Sequence, residues 1–374
     1  MSSSVITVGL DVHKESISAC WIECANGVDV EQEDRFANRE SDIRRFFHRI
    51  TSRGEVRSCY EAGPCGFVVY RQLTAMDVRC DVIAPGLIPK RPGDRIKTDR
   101  RDARMLARLH RGGYLTAIRV PEEAQEAVRD LLRCRDDLRG ELSRLRNRLL
   151  KFCLRHGFGW RDGNNWTQKH WQWLRPIRFE QPAAQRTFHE YLDQLDHAMD
   201  RARDLDAEIG RIAKEDRFRD DVARLSCLRG INVLSAMVLL TEIGDIRRFD
   251  SPRALMAYVG LVPSLYASGD RANRGSITKC GNKHVRRILV ESSWHYRHPV
   301  QPTKLLNARC EGQSPIVARE ARDAQRRLGG RYRRLIARGK PSQVVVVAIA
   351  RELCAFIWAI MTKDAPSATM RKTA

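Results

Sequence analysis

Two aspartates stand three residues apart in the arginine-rich segment KTDRRDARMLARL, residues 97–109. Thr98 is a good helix N-cap, and acids in the first turn of a helix are stabilised by its positive end. The same spacing puts Asp99 and Asp102 on one helical face, where their carboxylates could hold a metal ion. The segment alone leaves both interpretations open.

Two further acids stand where predicted strands end: Asp11 in GLDVHK and Glu61 in CYEAGP. If the first and fourth strands are neighbours in a mixed sheet, these acids lie side by side, and the next helix brings Asp99 and Asp102 over them. Carboxylates about 4 Å apart repel by roughly 4 kcal/mol at an effective dielectric near 20, so four of them together require cations. Mg²⁺ takes such oxygen ligands, with Mn²⁺ as the alternative, and two ions can clamp a phosphodiester during in-line displacement. Taken singly, each acid fits an ordinary capping or surface role better than a metal-binding one.

The N-terminal region alternates β-rich and helical patterns and predicts an α/β domain over residues 1–120. Apolar runs over 6–12 and 16–22, joined by a short polar turn, indicate a hairpin. The further predicted elements are a strand over 28–36, a helix with Ile43, Phe46, Phe47 and Ile50 on one face, a strand ending at Glu61, a helix near 67–76 and a strand over 80–84. A loop rich in proline and glycine over 85–96 then precedes the helix with Asp99 and Asp102.

Long helical patterns fill the middle of the chain, residues 121–219. Steps of four and three connect Ala124, Val128, Leu131, Arg135, Leu138, Leu142, Leu145 and Leu149, which is typical of a coiled-coil seam with one charged member. A tryptophan-rich connector over 160–180 leads to a second such stretch over 184–214. The two helices most simply fold back as an antiparallel arm, and pairing with a second subunit is the alternative.

The remaining residues, 220–374, predict a mainly helical domain with a strongly basic segment. LRGINVLSAMVLL places a glycine turn between apolar helices, as in hairpins that hold a nucleic-acid backbone through main-chain N–H groups. Residues 271–290 contain six basic side chains and no acid. These six are candidates for phosphate contact, against the alternative of a solvated cationic surface: Arg271, Arg274, Lys279, Lys283, Arg286 and Arg287.

Composition favours a polyanionic partner. The 374 residues carry 67 lysines and arginines against 46 acids, a formal charge of +21, which attracts phosphates through counterion release. No membrane partner is expected, because the apolar segment 344–361 is interrupted by Arg351 and Glu352 and predicts a buried helix. The first residues lack a signal-peptide pattern. Eleven cysteines without CxxC pairs fit a reducing cytoplasm.

Four segments together resemble the DEDD-type transposases of the insertion-sequence one-ten family, whose members are guided by a bridge RNA. They are GLDVHK, YEAGPCGF, VIAPGLIPKRPGDRIKTDRRDARMLA and YASGDRANRGSITKCGNKHVRRILVESSWHYRH. The resemblance covers roughly residues 5–120 and 222–361. One departure is that the family's Gly-Ile-Gly turn reads Gly230-Ile231-Asn232 here, where asparagine tolerates a left-handed backbone.

The resemblance implies a RuvC-like, ribonuclease-H-type N-terminal domain with Asp11, Glu61, Asp99 and Asp102 as its metal-binding acids. It also implies a C-terminal transposase domain whose nucleophilic serine matches Ser268, whereas without it Ser264 and Ser276 would compete equally. The family precedent is a composite site, with metals from one subunit facing the serine of another, and therefore an obligate homo-oligomer, dimer or tetramer.

A serine hydroxyl needs activation by a base or a metal, and its phosphate ester would keep the broken bond for rejoining. Carboxylates with a serine therefore indicate strand exchange, while carboxylates alone indicate cutting. The sequence predicts a recombinase that moves its own insertion sequence, with donor and target double-stranded DNA and a structured noncoding guide RNA as partners; the RNA comes wholly from the resemblance. The alternatives are a metal-dependent junction-resolving nuclease with a structural Ser268, and a non-catalytic nucleic-acid-binding protein.

Overall fold

A computed structural model describes residues 5–25, 27–89, 98–268 and 271–363, without the side chains of residues 25, 267, 268, 271, 272 and 274. The chain divides into two compact units, Met1–Pro121 and Glu122–Ala374. The first boundary falls next to the one predicted at residue 120. A further boundary between residues 219 and 220 stays a prediction.

The first unit is a mixed five-stranded sheet with helices on both faces. Its strands are β1 (Ile6–Val12), β2 (Ser16–Ala25), β3 (Val28–Ala37), β4 (Val56–Glu61) and β5 (Arg79–Ile83), in the order β3-β2-β1-β4-β5. Strands β1, β2 and β3 are antiparallel neighbours, whereas β4 is parallel to both β1 and β5. All five predicted strands are present, and the expected adjacency of the first and fourth strands is confirmed.

Helices pack on both faces of the sheet, and alternate side chains of each strand contact one set of helices or the other. Ile6, Val8 and Leu10 of β1 are buried in a core shared with α1 (Glu40–Thr51) and α2 (Val68–Thr74). The alternate residues face α3 (Asp99–Arg111), where Cys59 and Leu106 share a smaller buried cluster. Since successive side chains of a strand point to opposite faces, Gly9, Asp11 and Glu61 belong to the α3 face.

Gly9 lets α3 approach β1 closely. A Cβ built on Gly9 would stand 2.3 Å from the carbonyl oxygen of Ala103 and 2.3 Å from the amide nitrogen of Ala107. Both neighbours are backbone atoms of α3, so no side-chain rotation could relieve the clash. The small residue therefore sets the distance between helix and sheet two residues before Asp11, on the same face.

The second unit is mainly helical, with one small sheet. Its elements are α4 (Glu123–Arg155), α5 (Gln168–Leu174), α6 (Pro182–Ile212), α7 (Arg219–Ser226), α8 (Val233–Ile243), α9 (Pro252–Tyr258), β6 (Pro263–Ser268), β7 (Arg271–Ile277), α10 (Lys283–Ser293), α11 (Lys304–Cys310), α12 (Pro315–Ala337) and α13 (Ser342–Lys363). The sequence predicted helices here and missed the antiparallel β6–β7 hairpin. Its glycines and serines do not show strand-like alternation of apolar side chains.

Helices α4 and α6, with α5 between them, form an antiparallel hairpin that we call the arm. Their shared core contains Leu138 to Leu149 of the predicted seam together with Phe188 and Leu195 of α6. Arg135, the charged member of that seam, donates to both carboxylate oxygens of Asp206 at 2.6 and 3.0 Å. Val128 and Leu131 instead pack against the helical core that includes α8, so the seam serves two different partners.

The tryptophan-rich connector packs onto the arm. The rings of Trp160, Trp166 and Trp173 each lie within 5.5 Å of the His170 ring, centroid to centroid. His170 is fully buried, and neither ring nitrogen has a hydrogen-bond partner among the described residues. The tryptophans therefore pack around a buried histidine, and Trp166 and Trp173 contact the core of the arm.

The apolar C-terminal helix lies in the core of the second unit. Of the described residues, only α13 is long and apolar enough to cross a membrane by length and composition. Val346, Ile349 and Leu353 are fully buried in this unit. Glu352, one of its charged interruptions, lies 3.0 Å from the Arg327 guanidinium and 2.9 Å from that of Arg331, both on α12. The prediction of a buried helix is confirmed by this packing.

The turn between α7 and α8 corrects one expectation. Gly230 is left-handed, with φ of 84°, and a Cβ there would meet the carbonyl oxygen of Ser292 at 2.2 Å. Asn232 is not left-handed: its φ is −111°, and its side chain caps α8 by accepting from the amide of Ser235 at 2.9 Å. Asparagine fits here as an N-cap, so its tolerance of positive φ is not the reason for its presence.

Candidate active site

Asp11 and Glu61 end adjacent strands on the α3 face. The parallel register pairs Leu10 with Tyr60, so Asp11 and Glu61 stand one residue further along the two strands. The side chain of Asp11 is 20% exposed, whereas Glu61 lies at the exposed end of β4. This placement agrees with the side-by-side arrangement expected from the sequence.

The other two acids occupy the first turn of α3. Thr98 is the N-cap, and its hydroxyl accepts from the amide of Arg101 at 3.4 Å, so the capping interpretation holds. It does not exclude the second interpretation, because the same turn brings Asp99 to the ends of the strands. A helix N-terminus also favours anionic side chains through its dipole.

Asp11, Asp99 and His13 form the tightest group of ligand-type side chains in the described residues. One ligand atom from each lies within 4.8 Å of the others. The Nε2 atom of His13 is 3.2 Å from Oδ2 of Asp11 and 3.6 Å from Oδ1 of Asp99. Glu61 and Asp102 fall outside this group of three, so the structure brings two of the four predicted acids into direct proximity.

Electrostatics connect Asp102 to the same place. Burial raises the pKa of Asp11, His13 lowers it, and the negative charges of Asp99 and Asp102 raise it further. The neighbouring acids therefore disfavour the ionised form of Asp11, and a bound cation would stabilise that form. Oxygen donors and mutual repulsion fit a hard divalent cation such as Mg²⁺ or Mn²⁺, with Asp11 and Asp99 as its nearest holders.

A row of pairs between arginines of α3 and carboxylates of β3 fixes α3 over the sheet. Arg100 and Arg104 donate to Glu33 of β3. Arg108 donates to both oxygens of Glu31 at 2.6 and 2.8 Å, and Arg111 donates to Asp29. Four residues of helix rise about 6 Å and two residues of strand about 6.7 Å, so the two charged rows stay in step along their length. We call this set the α3 ladder.

The α3 ladder also lowers the pKa values of its two glutamates. The hydrogen bond from Arg108 holds the pKa of Glu31 below its ordinary value. Burial acts to raise the pKa of Glu33, but the bonds from Arg100 and Arg104 outweigh it, and the net shift is downward. Both acids are therefore ionised and paired at neutral pH, and the arginines of KTDRRDARMLARLH hold a helix in place.

Ser268 is the last residue of β6, and its backbone pairs with Arg271 of β7. The residue after it, Gly269, and the side chains of Ser268, Arg271 and Arg274 lie outside the described set. Of the competing serines, Ser264 is half-buried with its Oγ facing Gly275, and Ser276 is exposed. The nucleophilic role of Ser268 stays a prediction.

The described basic candidates divide into two kinds. Lys279 and Lys283 are exposed, and no acid of the described chain lies within ion-pair distance of either. Arg286 donates to the carbonyls of Val259 and Cys280, each at 3.0 Å. Arg287 pairs with Asp136 at 2.8 Å and with Glu291 at 3.2 Å. The lysines are available for phosphate, whereas Arg286 and Arg287 already have partners within the second unit.

Close backbone contacts fix the base of the β6–β7 hairpin. Gly260 and Gly281 are both left-handed, and Cβ atoms there would stand 2.1 Å from the carbonyl oxygen of Cys280 and 1.9 Å from that of Tyr258. The carbonyls that Arg286 binds lie in the same two segments. These contacts join residues 258–260 to residues 280–281 and so hold the two ends of the β6–β7 hairpin together.

Sequence reasoning missed His13 and Gly9 as residues of the candidate site. Both are visible in GLDVHK, because positions 9, 11 and 13 alternate toward one side of an extended chain. The close approach of Gly9 to α3 depends on a segment almost one hundred residues away, so no local sequence pattern predicts this contact.

Comparisons with known proteins agree on one family. Residues 222–304 match the family described as Transposase IS116/IS110/IS902, and residues 8–158 match a DEDD family described as Transposase. The Sinorhizobium fredii relative y4qE, whose name includes the word transposase, is 40% identical over 94% of this chain and 87% of its own length. The transposase for insertion sequence element IS1533 of Leptospira borgpetersenii is 34% identical over 88% of this chain and 96% of its own length.

Proposed function

The chain belongs to the IS110 family of insertion-sequence transposases, enzymes that cleave DNA and transfer its strands, and from that premise we propose a two-part chemistry. Asp11, Glu61, Asp99 and Asp102 bind divalent cations, and Ser268 is the nucleophile. The observation that carries the first part is the convergence of Asp11 and Asp99 under the first turn of α3.

The N-terminal unit acts in this proposal as a RuvC-like, ribonuclease-H-type domain. Support comes from the β3-β2-β1-β4-β5 order and from acids at the ends of the adjacent strands β1 and β4. Bound Mg²⁺, or Mn²⁺, would supply charge stabilisation to a phosphodiester in the transition state. The protein's own contribution is to hold Asp99 and Asp102 at a fixed height above Asp11, through Gly9 and the α3 ladder.

The strand-transfer step conserves the energy of the phosphodiester bond. The Oγ of Ser268 attacks phosphorus, loses its proton and displaces the 3′-oxygen, which leaves as a 3′-hydroxyl. The product is a 5′-phosphoserine ester. A 3′-hydroxyl then attacks that phosphorus, and the serine hydroxyl is regenerated as the strands are joined. No nucleotide cofactor is consumed.

Three partners complete the proposal. Donor and target double-stranded DNA are the substrates, and a structured noncoding bridge RNA supplies sequence choice by pairing with both. A homo-oligomer, dimer or tetramer, provides the acids of one subunit and the serine of another. We further propose that the protein acts in the cytoplasm, where genomic DNA is accessible. The basic charge of +21 supports polyphosphate partners in general, and the family supports this particular set.

Trapping the covalent intermediate tests the serine. The full chain is incubated with Mg²⁺, DNA spanning the ends of its own insertion sequence, and RNA transcribed from the flanking noncoding DNA. Wild-type protein should form a protein–DNA adduct that survives denaturing electrophoresis, and Ser268→Ala should lose both the adduct and strand transfer. Ser264→Ala is the matched control, because it removes a hydroxyl from the same strand, and it should keep both.

The outcomes separate the proposal from its rivals. An adduct that persists in Ser268→Ala contradicts the assignment of the nucleophile. Cutting that persists in Ser268→Ala without an adduct in wild type indicates a metal-dependent nuclease. Unchanged DNA processing in Asp11→Asn contradicts the metal site.

A further inference from the structure

The C-terminal half of α4, together with the residues that follow it, is a second cationic region, separate from the β6–β7 hairpin that contains Ser268. Residues 142–161 contain six arginines or lysines and no acid. Four of these cations recur at steps of four, three and four: Arg144, Arg148, Lys151 and Arg155. At 100° per residue they fall within about 60° of arc, and they extend along about 16 Å of helix. We call these four residues the arm stripe.

The arm stripe is exposed and has no acidic counterpart within the arm. All four side chains are exposed, and no carboxylate of the described residues lies within ion-pair distance of any of them. Helix α6 carries seven acids against four arginines, and the six acids of α4 all lie before residue 142. Two of those α6 acids, Asp196 and Asp206, pair with Arg175 and Arg135 outside the stripe.

Aromatic rings orient two of these guanidinium groups. Arg148 lies 5.9 Å from the ring centroid of Tyr191, and Arg155 lies 5.8 Å from that of Phe152. Nearby, Arg146 lies 5.3 Å from the ring of Trp166. Such a contact uses the flat face of a guanidinium and leaves N–H donors at its edge, which is the part that binds phosphate oxygens.

The same aromatic contacts disfavour the stacking of unpaired bases on these rings. Trp166, Trp171 and Tyr191 pack against the core of the arm. Rings held in this way are not free to take unpaired bases between them, which is how single strands are usually bound. A row of exposed cations, two of them oriented by ring contacts, instead fits a regular row of phosphates.

We propose that the arm stripe binds the phosphate backbone of a nucleic-acid duplex. Successive phosphates of one strand advance about 3.4 Å along a duplex, so 16 Å of helix spans about five of them. This inference rests on the proposed function for the identity of the partner as nucleic acid. It adds a binding surface on the arm, outside both the metal site and the β6–β7 hairpin.

Charge reversal within the stripe tests the proposal. The full-length variant Arg144→Glu/Lys151→Glu changes two exposed residues that make no aromatic contact. Its matched control is Arg201→Glu/Lys214→Glu, which makes the same change in net charge at two exposed residues, one in α6 and one just after it. Binding is measured by fluorescence anisotropy over a salt series, with a DNA duplex and an RNA duplex of the same arbitrary sequence. Divalent ions are omitted, so the result is independent of cleavage chemistry and of Ser268.

The stripe variant should bind the duplex at least about tenfold more weakly than wild type. The slope of log affinity against log salt should become shallower by about 1.8, because two phosphate contacts are lost. The control should match wild type. A loss with only one of the two duplexes identifies the source as DNA or RNA. Equal binding by variant and control overturns the proposal, provided circular dichroism shows both folded. Loss of self-association with unchanged duplex binding also overturns it, in favour of a second copy whose acidic α6 covers the stripe.

Discussion

Helices α3 and α4 are both rich in arginine, but their arginines have different surroundings. Those of α3 face glutamates of β3 at matching spacing, and Arg100, Arg104 and Arg108 all donate to carboxylates. Those in the C-terminal half of α4 contact aromatic rings or are exposed to solvent. The first set holds a helix over the candidate metal site, and the second set is available to an external anion.

The comparison shows that a basic segment cannot be assigned to nucleic-acid binding from charge alone. What decides is whether acids in a neighbouring element repeat at the same distance. In α3 the four-residue step of the helix matches the two-residue step of the strand β3, whereas no acid of α6 lies within ion-pair distance of the arm stripe. Four predictions test the contacts on which the two regions depend, from the largest expected effect to the smallest.

Replacing Gly9 with valine should have the largest effect, because the new side chain would collide with backbone atoms of Ala103 and Ala107. We expect a loss of about 3 kcal/mol in the free energy of unfolding and loss of divalent-ion binding, although no acid is changed. Urea denaturation and calorimetric Mn²⁺ titration measure the two effects. Gly86→Ala, where a Cβ meets open space, is the control. Normal Mn²⁺ affinity in Gly9→Val would contradict the role of Gly9 in positioning α3.

Reversing the charge of Glu33 should break the α3 ladder. Glu33→Lys removes the partner of Arg100 and Arg104 and places like charges together. We therefore expect the free energy of unfolding to fall by about 1 kcal/mol after allowing for solvent screening of the exposed arginines. Mn²⁺ affinity should fall several-fold as α3 shifts. Glu40→Lys, which breaks an exposed pair with Arg44 within α1, should cost less and leave Mn²⁺ binding unchanged. Adding Arg104→Glu to Glu33→Lys should restore part of both losses, and a failure to restore either would argue against pairing as the cause.

The lysines and arginines after β7 should respond differently to neutralisation. Lys279→Gln/Lys283→Gln should keep the thermal stability of wild type, while the salt slope for DNA falls by up to about 1.8. Arg286→Gln should instead lower thermal stability, because it removes a donor from the carbonyls of Val259 and Cys280. Thermal unfolding and anisotropy distinguish the two. Equal loss of stability in both variants would remove the distinction between available and internally partnered cations.

His170 should give the smallest effect, and only below neutral pH. Burial lowers its pKa in the folded chain, so the unfolded chain takes up the proton first as pH falls. Its contribution is therefore constant well above the unfolded pKa of about 6.5, and stability declines below it by at most about 1.4 kcal/mol per pH unit. His170→Phe should flatten this dependence between pH 7 and pH 5.5 in denaturant titrations. An unchanged pH dependence would exclude His170 as its source.

Local pattern predicted most of the first unit. The five strands and the helix with Ile43, Phe46 and Phe47 on its buried face follow from periods of two and 3.6 residues. The boundaries differ by a few residues, as with β2, which continues to Ala25 rather than 22. The adjacency of β1 and β4, assumed when Asp11 and Glu61 were placed side by side, is also present.

What could not be predicted depends on contacts between distant segments. Gly9 against Ala103, and Glu33 against Arg104, are pairs whose members look ordinary in their own surroundings. The β6–β7 hairpin is fixed by close approaches at Gly260 and Gly281 rather than by buried strand residues, so its sequence lacks a strand period. For Arg135, the sequence showed a charge in an apolar seam but not the Asp206 carboxylate that receives it.

The most direct test of the candidate metal site is calorimetric titration of Mn²⁺ into the full-length protein without nucleic acid. Wild type should bind Mn²⁺, and Asp11→Asn and Asp99→Asn should each weaken binding by at least about tenfold, because each removes a carboxylate charge from the same ion. Asp42→Asn, which changes an acid of α1 on the opposite face of the sheet, should bind like wild type. Equal Mn²⁺ affinity in wild type, Asp11→Asn and Asp99→Asn would contradict a shared cation site at the ends of β1 and α3.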